Sequence, residues 1–222
     1  MNKALLSYAV GDAHQQMHEL TLPTKRWYAE VYGYTLIDAD FEAVSRPASW
    51  EKVGLLREAL QTYDEVLFLG CDVLIAKDAP DMAGYIPPEA WHALVVHDVD
   101  GMPGSLRVGY VPNCDVWFLR KPMIPVLDQI ESMSESLRDH GWWEQAACMQ
   151  LMGFNITPPC FRQATSLLWG YTYELDPRWN YHPWAKCIGE PFFRHATGYN
   201  MAERLILMKN WVAGHDERRG AI

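Results

Sequence analysis

Two residues in this sequence have the type and placement to hold a hard divalent cation. Asp72 follows the apolar run Glu65-Val66-Leu67-Phe68-Leu69 by way of Gly70-Cys71, and His195 ends Phe192-Phe193-Arg194-His195, three residues before Gly198. Carboxylate and imidazole together suit manganese-like ions. A cation so held would neutralise the negative charge that grows on a departing diphosphate, and Gly198, having no Cβ, would let backbone approach it. A further acid, Glu144, opens a helical stretch beside Gln145. In a partly dry site its charge would steady a carbon that turns electron-poor as its leaving group departs. Each residue also has an ordinary reading. Asp is common in the turn after a strand, an isolated His is mostly structural, and Glu near a helix start favours the helix dipole.

These residues matter because of the elements that would carry them. Ala4 to Val10 reads as a buried strand stopping at Gly11, so the loop Ala9-Val10-Gly11-Asp12 is placed to cradle a base and ribose. A helix is expected over Thr21–Tyr32, with Pro23 in its first turn and Gly33 at its end. A short strand follows at Thr35-Leu36-Ile37. Ser49 would cap a helix from Trp50 to Thr62, whose Trp50, Val53, Leu56 and Leu60 share one apolar face. Lys52 on that helix is placed to reach a base or phosphates, although an exposed helix Lys is the default. Glu65–Leu69 is a compact strand, and ligands collect at the carboxyl ends of parallel strands, where Gly11, Cys71 and Asp72 stand. Ala93–Val96 and Val116–Leu119 read as strands; His97 and Asp98, after the first, are placed to look into the cleft, and Asn113 precedes the second. Pro122–Asp139 and Trp143–Met152 read as helices. Asn155–Glu190 reads as irregular, Phe192–His195 as a last strand and Asn200–Val212 as a closing helix. Strands alternating with helices predict an α/β fold: a single mixed, mostly parallel sheet flanked by helices.

Composition narrows the classes. The 222 residues suit one domain over 1–222, and 49% hydrophobic content supports a sizeable core. A formal charge of −9, with no run of four basic residues even at the Glu217-Arg218-Arg219 tail, argues against nucleic-acid binding. Ten Trp and eleven Tyr would line a carbohydrate or nucleotide site as readily as fill a core. Cys71, Cys114, Cys148, Cys160 and Cys187 are scattered and odd in number, which suits reduced thiols in a cytoplasmic protein and no structural zinc. No apolar stretch reaches the length of a membrane span or a signal peptide.

The motifs, taken in order, resemble those of the GT-A glycosyltransferases. Tyr63-Asp64-Glu65-Val66-Leu67-Phe68-Leu69-Gly70-Cys71-Asp72-Val73-Leu74-Ile75 is similar to the metal-binding strand that ends in Asp-x-Asp. Trp50-Glu51-Lys52-Val53 resembles the Trp-x-Lys helix that precedes it in the galactosyl- and xylosyltransferase group. Phe192 to Gly198 resembles the late His-x-x-Gly segment, whose His is the other metal ligand. Trp143-Glu144-Gln145 resembles the triplet bordering the donor sugar. Asn113-Cys114-Asp115 is similar to an Asn-x-Gly segment, and Asn180 falls in a loop near the family's closing lid. The resemblance, which runs from the first strand to His195, implies a GT-A nucleotide-diphospho-sugar transferase fold. It implies Mn2+ or Mg2+ held by Asp72 and His195, with Glu144 and Gln145 as catalytic residues. The donor, a UDP-hexose or UDP-pentose, would be held by Ala9, Val10, Gly11, Lys52, Cys71, Asp72, Asn113 and Gly198. Its sugar would pass to a glycan or other hydroxyl acceptor with retention.

Three positions depart from that pattern. Gly70 stands for the first Asp of Asp-x-Asp, Asp115 for the usual Gly, and Asn200 for a Lys that neutralises the diphosphate, with Arg194 or Arg204 as candidate substitutes. The departures leave open a catalytically weak or inactive sugar-nucleotide- or glycan-binding protein of the same fold. A nucleotidyltransferase or a Rossmann dehydrogenase is disfavoured, because Gly11-Asp12-Ala13-His14 lacks a Gly-rich phosphate loop.

Overall fold

The computed structural model describes residues 1–40, 46–100, 107–184 and 186–214; Arg218-Arg219 lies outside them. Strand β1 (Lys3–Tyr8) is followed by α1 (Asp12–Tyr32), β2 (Tyr34–Ala39), α2 (Glu51–Thr62), β3 (Glu65–Leu69) and the short β4 (Val73–Ile75). The chain continues through β5 (His92–Val99), β6 (Gly109–Arg120), α3 (Ile124–Ser132), α4 (Trp143–Leu151), α5 (Leu167–Gly170) and β7 (Thr172–Glu174). It closes with β8 (Phe193–His195) and α6 (Met201–Val212). The main sheet has the order β2-β1-β3-β6-β5-β7, and only β6 runs against the others. The mixed, mostly parallel sheet predicted from the strand and helix alternation is therefore present.

Alternation along β1 divides the core. Ala4, Leu6 and Tyr8 face one side with Trp50, Val53, Leu56 and Leu60, the predicted apolar face of α2. Leu5 faces the other side with Tyr28 of α1. Helices α2, α3 and α4 thus cover one face of the sheet and α1 the other, as sheet strands buried on both faces require.

Several boundaries differ from the sequence reading. Helix α1 begins nine residues earlier than expected, at Asp12, straight after Gly11 turns the chain at φ 82°. Met17, His18, Thr21, Lys25 and Tyr28 keep a buried stripe running through Pro23, which sits mid-helix on the exposed face. The carbonyl it leaves without an amide partner, at Glu19, is on that wet face, so the break is tolerated. Ser49 lies inside a 3-10 turn, Ala48–Trp50, and caps nothing with its side chain. Helix α3 stops at Ser132 instead of Asp139. The Ser132 Oγ donates to Gln129 O and Ser136 Oγ to Met133 O, local bonds that compete with helix continuation. Strand β6 starts at Gly109, seven residues before the expected Val116, and α5 and β7 lie within the stretch expected to be irregular.

The second, two-stranded sheet pairs β4 with β8 and sets Val73 opposite His195. It is docked by Met17, Leu74, Ala196, Leu207, Met208 and Trp211, which join α1 and α6 across it. Residues far apart in sequence, Asp72 and His195, are thereby adjacent.

The start of β6 depends on one glycine. Gly109 has φ 90°, and a Cβ there would overlap the backbone carbonyl and amide of Cys160. Gly109→Ala is therefore expected to lower the unfolding free energy by about 3 kcal/mol in urea denaturation, with loss of the Tyr110 N to Cys160 O bond (2.8 Å).

Candidate functional site

A cleft of about 650 Å³ opens where β1, β3 and β5 end, within the range of small-molecule sites. Ala9 and Val10 form its rim after β1, and Gly70, Cys71 and Asp72 its floor after β3. Lys52, Asn113, Glu144, Gln145, His195 and Gly198 also line it, so most residues singled out from the sequence meet in one place. Gly11 and Asp98 do not line it. Gly11 serves the turn into α1, and Asp98 pairs with Arg107 and Lys186 at the surface.

The floor is clamped from below by α1. Lys25, fully buried, donates to Gly70 O (2.7 Å) and Ser7 Oγ (2.9 Å), and Thr21 Oγ1 donates to Cys71 O (2.8 Å). Burial depresses the Lys25 ammonium to about 8, with Cys71 and Asp72 pulling the other way. Burial also raises the Cys71 thiol, as does the neighbouring Asp72. The sequence reading missed Lys25, since a single Lys in a helical stripe looks like a solvated face until the stripe is seen to be buried.

Lys52 is not the exposed helix lysine of the default reading. Its Nζ is enclosed and donates to Glu144 Oε1 (2.6 Å), Asp115 Oδ1 (2.9 Å) and Cys114 O (3.2 Å). Burial opposes its charge, but Asp115 and Glu144 outweigh burial and hold the ammonium well above its usual range. Burial raises Glu144 despite Lys52. Asp115, with 37% of its side chain open to the cleft, is held down to about 2: enclosure pushes it up, but Lys52, His195 and Arg204 prevail. Gln145 commits its Oε1 to the Cys114 amide (3.1 Å). The helix carrying this pair begins under backbone strain, with Trp143 at φ 41°.

The orientation of His195 can be traced through a chain of bonds. The Asp115 amide donates to Asn113 Oδ1 (2.9 Å), and Asn180 Nδ2 donates to the same oxygen (2.8 Å). That fixes Asn180 Oδ1 as an acceptor, and it lies 3.0 Å from His195 Nδ1. In the neutral ring the proton therefore sits on Nδ1, leaving the Nε2 lone pair facing inward. There Nε2 meets Asp72 Oδ1 at 3.4 Å and Asp115 Oδ2 at 3.6 Å. Asn180 positions His195 from behind and does not line the cleft.

These atoms fit a divalent cation in donor type and in spacing, since two ligands on one such ion stand about 3 to 4 Å apart. Among the described residues, no three His, Cys, Asp or Glu side chains are gathered closely enough to hold an ion, so the fit is that of the Asp72 and His195 pair. Asp72 Oδ2 is drawn toward Arg204 Nη1 at 3.2 Å. Of the two arginines offered as substitutes for the missing Lys, Arg204 reaches the site and Arg194 does not line it. Asn200 itself caps α6 through a reciprocal pair of bonds with Glu203. Gly198, at φ 83°, leaves room for the Trp184 indole, which a Cβ would meet at 2.6 Å.

Removing the cation in the network should expose the cost of enclosing its acids. Lys52→Met is expected to cost about 3–5 kcal/mol, most of it recovered in Lys52→Met/Glu144→Gln. Without Lys52, Glu144 keeps a folded pKa further above its unfolded value. Its contribution is then present at low pH and lost as pH rises through the folded pKa, so the variant's deficit should be larger at pH 8 than at pH 5 in urea unfolding.

No family profile matches this sequence, and no curated protein sequence matches it. Solved structures do. A glycosyltransferase involved in the glycosylation of the major capsid of PBCV-1 superposes with a TM-score of 0.68 at 16% identity, covering 94% of this chain and 99% of that one. The galactosyltransferase LgtC, solved with donor and acceptor sugar analogues, gives 0.58 at 10% identity, with 95% of each chain covered. Mouse xyloside xylosyltransferase 1 gives 0.52 at 12% identity, covering 88% of this chain and 97% of that one. The fold is the one these GT-A glycosyltransferases share.

Proposed function

We propose that this chain is a metal-assisted glycosyltransferase, a single GT-A domain over 1–222 that moves a sugar from a UDP-hexose or UDP-pentose to a hydroxyl acceptor with retention. The observation that carries the reading is the convergence of the His195 Nε2 lone pair with the Asp72 and Asp115 carboxylates at 3.4 and 3.6 Å. An imidazole lone pair facing two carboxylates is unfavourable, and a cation between Asp72 and His195 would relieve that repulsion. Asp72 and His195 would hold Mn2+ or Mg2+, with Asp115 beside them, and such an ion supplies charge neutralisation for a diphosphate leaving group.

The remaining roles belong to this chain's own side chains. Ala9 and Val10 border the base and ribose, and Cys71 and Asn113 line the nucleotide's path. Arg204, one turn into α6, stands where a second positive group can meet a phosphate. Glu144 Oε2 is enclosed and has no hydrogen-bond partner among the described residues, while Oε1 is anchored by Lys52. That leaves one oxygen for the donor sugar or its electron-poor anomeric carbon, and Gln145 lies next to it. Trp142, Trp143 and Trp184 line the walls, apolar faces suited to sugar rings. Among the described residues no helix is long and apolar enough to cross a membrane, and no disulfide joins the five cysteines. Both facts are compatible with work in the cytoplasm.

Calorimetric titration with UDP, in Mn2+ and in chelator, tests the reading. Binding should require the metal, and Asp72→Ala or His195→Ala should weaken it by at least roughly tenfold. Equal binding in chelator would remove the metal from the mechanism. Asp115→Asn is expected to weaken Mn2+-dependent UDP binding by about tenfold, measured against the same protein's far-ultraviolet spectrum and melting curve.

A further inference from the structure

Eight buried side-chain N and O atoms have no hydrogen-bond partner among the described residues, and five of them line this one cleft. They are both ring nitrogens of His97, Nδ1 of His182, Nε1 of Trp184 and Oε2 of Glu144. Enclosed polar atoms left unpaired are costly. Such a concentration beside open volume marks where a polar ligand completes the bonding. His97, on β5, is 2% exposed and His182 is 5% exposed. Their ring centroids are 4.1 Å apart with the planes at 62°. Each ring is thus held in place by the other, and three of their nitrogens are enclosed and unpartnered in residues that line the cleft.

The chemistry of these two rings separates ligand classes. Burial keeps both imidazoles neutral, so His97 offers one N–H donor and one lone pair, and Nδ1 of His182 adds one or the other. A phosphate oxygen accepts only and would leave the lone pairs unmet. An apolar group would leave everything unmet. A hydroxyl both donates and accepts, and neighbouring hydroxyls on a sugar ring satisfy two such rings together.

Resting on the reading of the cleft as a UDP-sugar site, we propose that His97 and His182 form a hydroxyl-recognising wall for a neutral sugar ring. The pair then reads sugar identity and leaves the nucleotide to Ala9 and Val10 at the end of β1. Donor sugar and acceptor sugar present the same chemistry, and the experiment distinguishes them.

The test compares wild type with His97→Leu, His182→Leu and His182→Gln, each first shown to melt cooperatively. In the donor arm, calorimetry with Mn2+ measures UDP against UDP-glucose, UDP-galactose and UDP-xylose. In the acceptor arm, saturation-transfer NMR measures methyl glycosides of the same sugars without nucleotide. The Leu variants should bind UDP within about twofold of wild type and lose about tenfold in one arm, the worth of one well-made hydrogen bond. His182→Gln, which keeps a donor and an acceptor, should recover most of that loss. Loss in the donor arm assigns the wall to the donor sugar, and loss in the acceptor arm assigns it to the acceptor. Folded Leu variants that match wild type in both arms overturn the proposal. Failure of wild type to bind UDP overturns the nucleotide reading instead, and the methyl glycoside arm still decides the wall.

Discussion

Placing acids side by side in an enclosed cleft is the constraint around which this structure is organised. Glu144 is buried, Asp115 is held beside it, and Asp72 lies across the floor. In a medium of low dielectric such charges repel strongly and are poorly solvated. One ammonium, Lys52, answers for two of them at 2.6 and 2.9 Å, and its methylene stem enters through the apolar face of α2. The stem explains why that helix must pack where it does. Trp50, Val53 and Leu56 fix the height at which Nζ emerges between β6 and α4. Core packing and site electrostatics are here one requirement.

The other half of the site is a problem of distance along the chain. Asp72 and His195 are brought together by a sheet of only six residues, β4 and β8, too short to stand on its own backbone bonds. Its stability comes from α1 and α6 closing over it through Met17, Leu207, Met208 and Trp211. The same α1 clamps the Gly70-Cys71 turn through Lys25 and Thr21. The long helix is therefore the base on which the candidate metal ligands rest.

The sequence was legible where a residue's role follows from its own element. β3 was read to the residue, the apolar face of α2 was correct in all four positions, and Asp72, Glu144 and His195 proved to share one cleft. It was illegible where the role depends on what lies opposite. Lys52 looks like a surface lysine because nothing local shows the acids of β6 and α4 waiting for it. Lys25 and the first half of α1 were hidden by Pro23, whose tolerance depends on facing solvent. His97 and His182, 85 residues apart by their numbers, carry no motif at all. Their pairing arises only when β5 and the segment after the 3-10 turn Pro177–Asn180 meet.

The departures at positions 70 and 115 look independent in the sequence and are neighbours in the fold. A Cβ built on Gly70 would stand 3.3 Å from the Cβ of Asp115 and 3.2 Å from Asp72 Oδ1. An Asp at 70 and the Asp at 115 would compete for the same space, so the small residue at one position makes room for the acid at the other. Where the motifs this chain resembles have acid then glycine, it has glycine then acid, and the carboxylate stays within one side chain's reach of His195. Its anchor changes from the turn after β3 to the more rigid β6, where Asn113 receives its amide and Lys52 its oxygen. On the proposed metal-assisted reading, Asp115 thus supplies from β6 the carboxylate that Gly70 lacks, and the degenerate Asp-x-Asp is answered on the neighbouring strand.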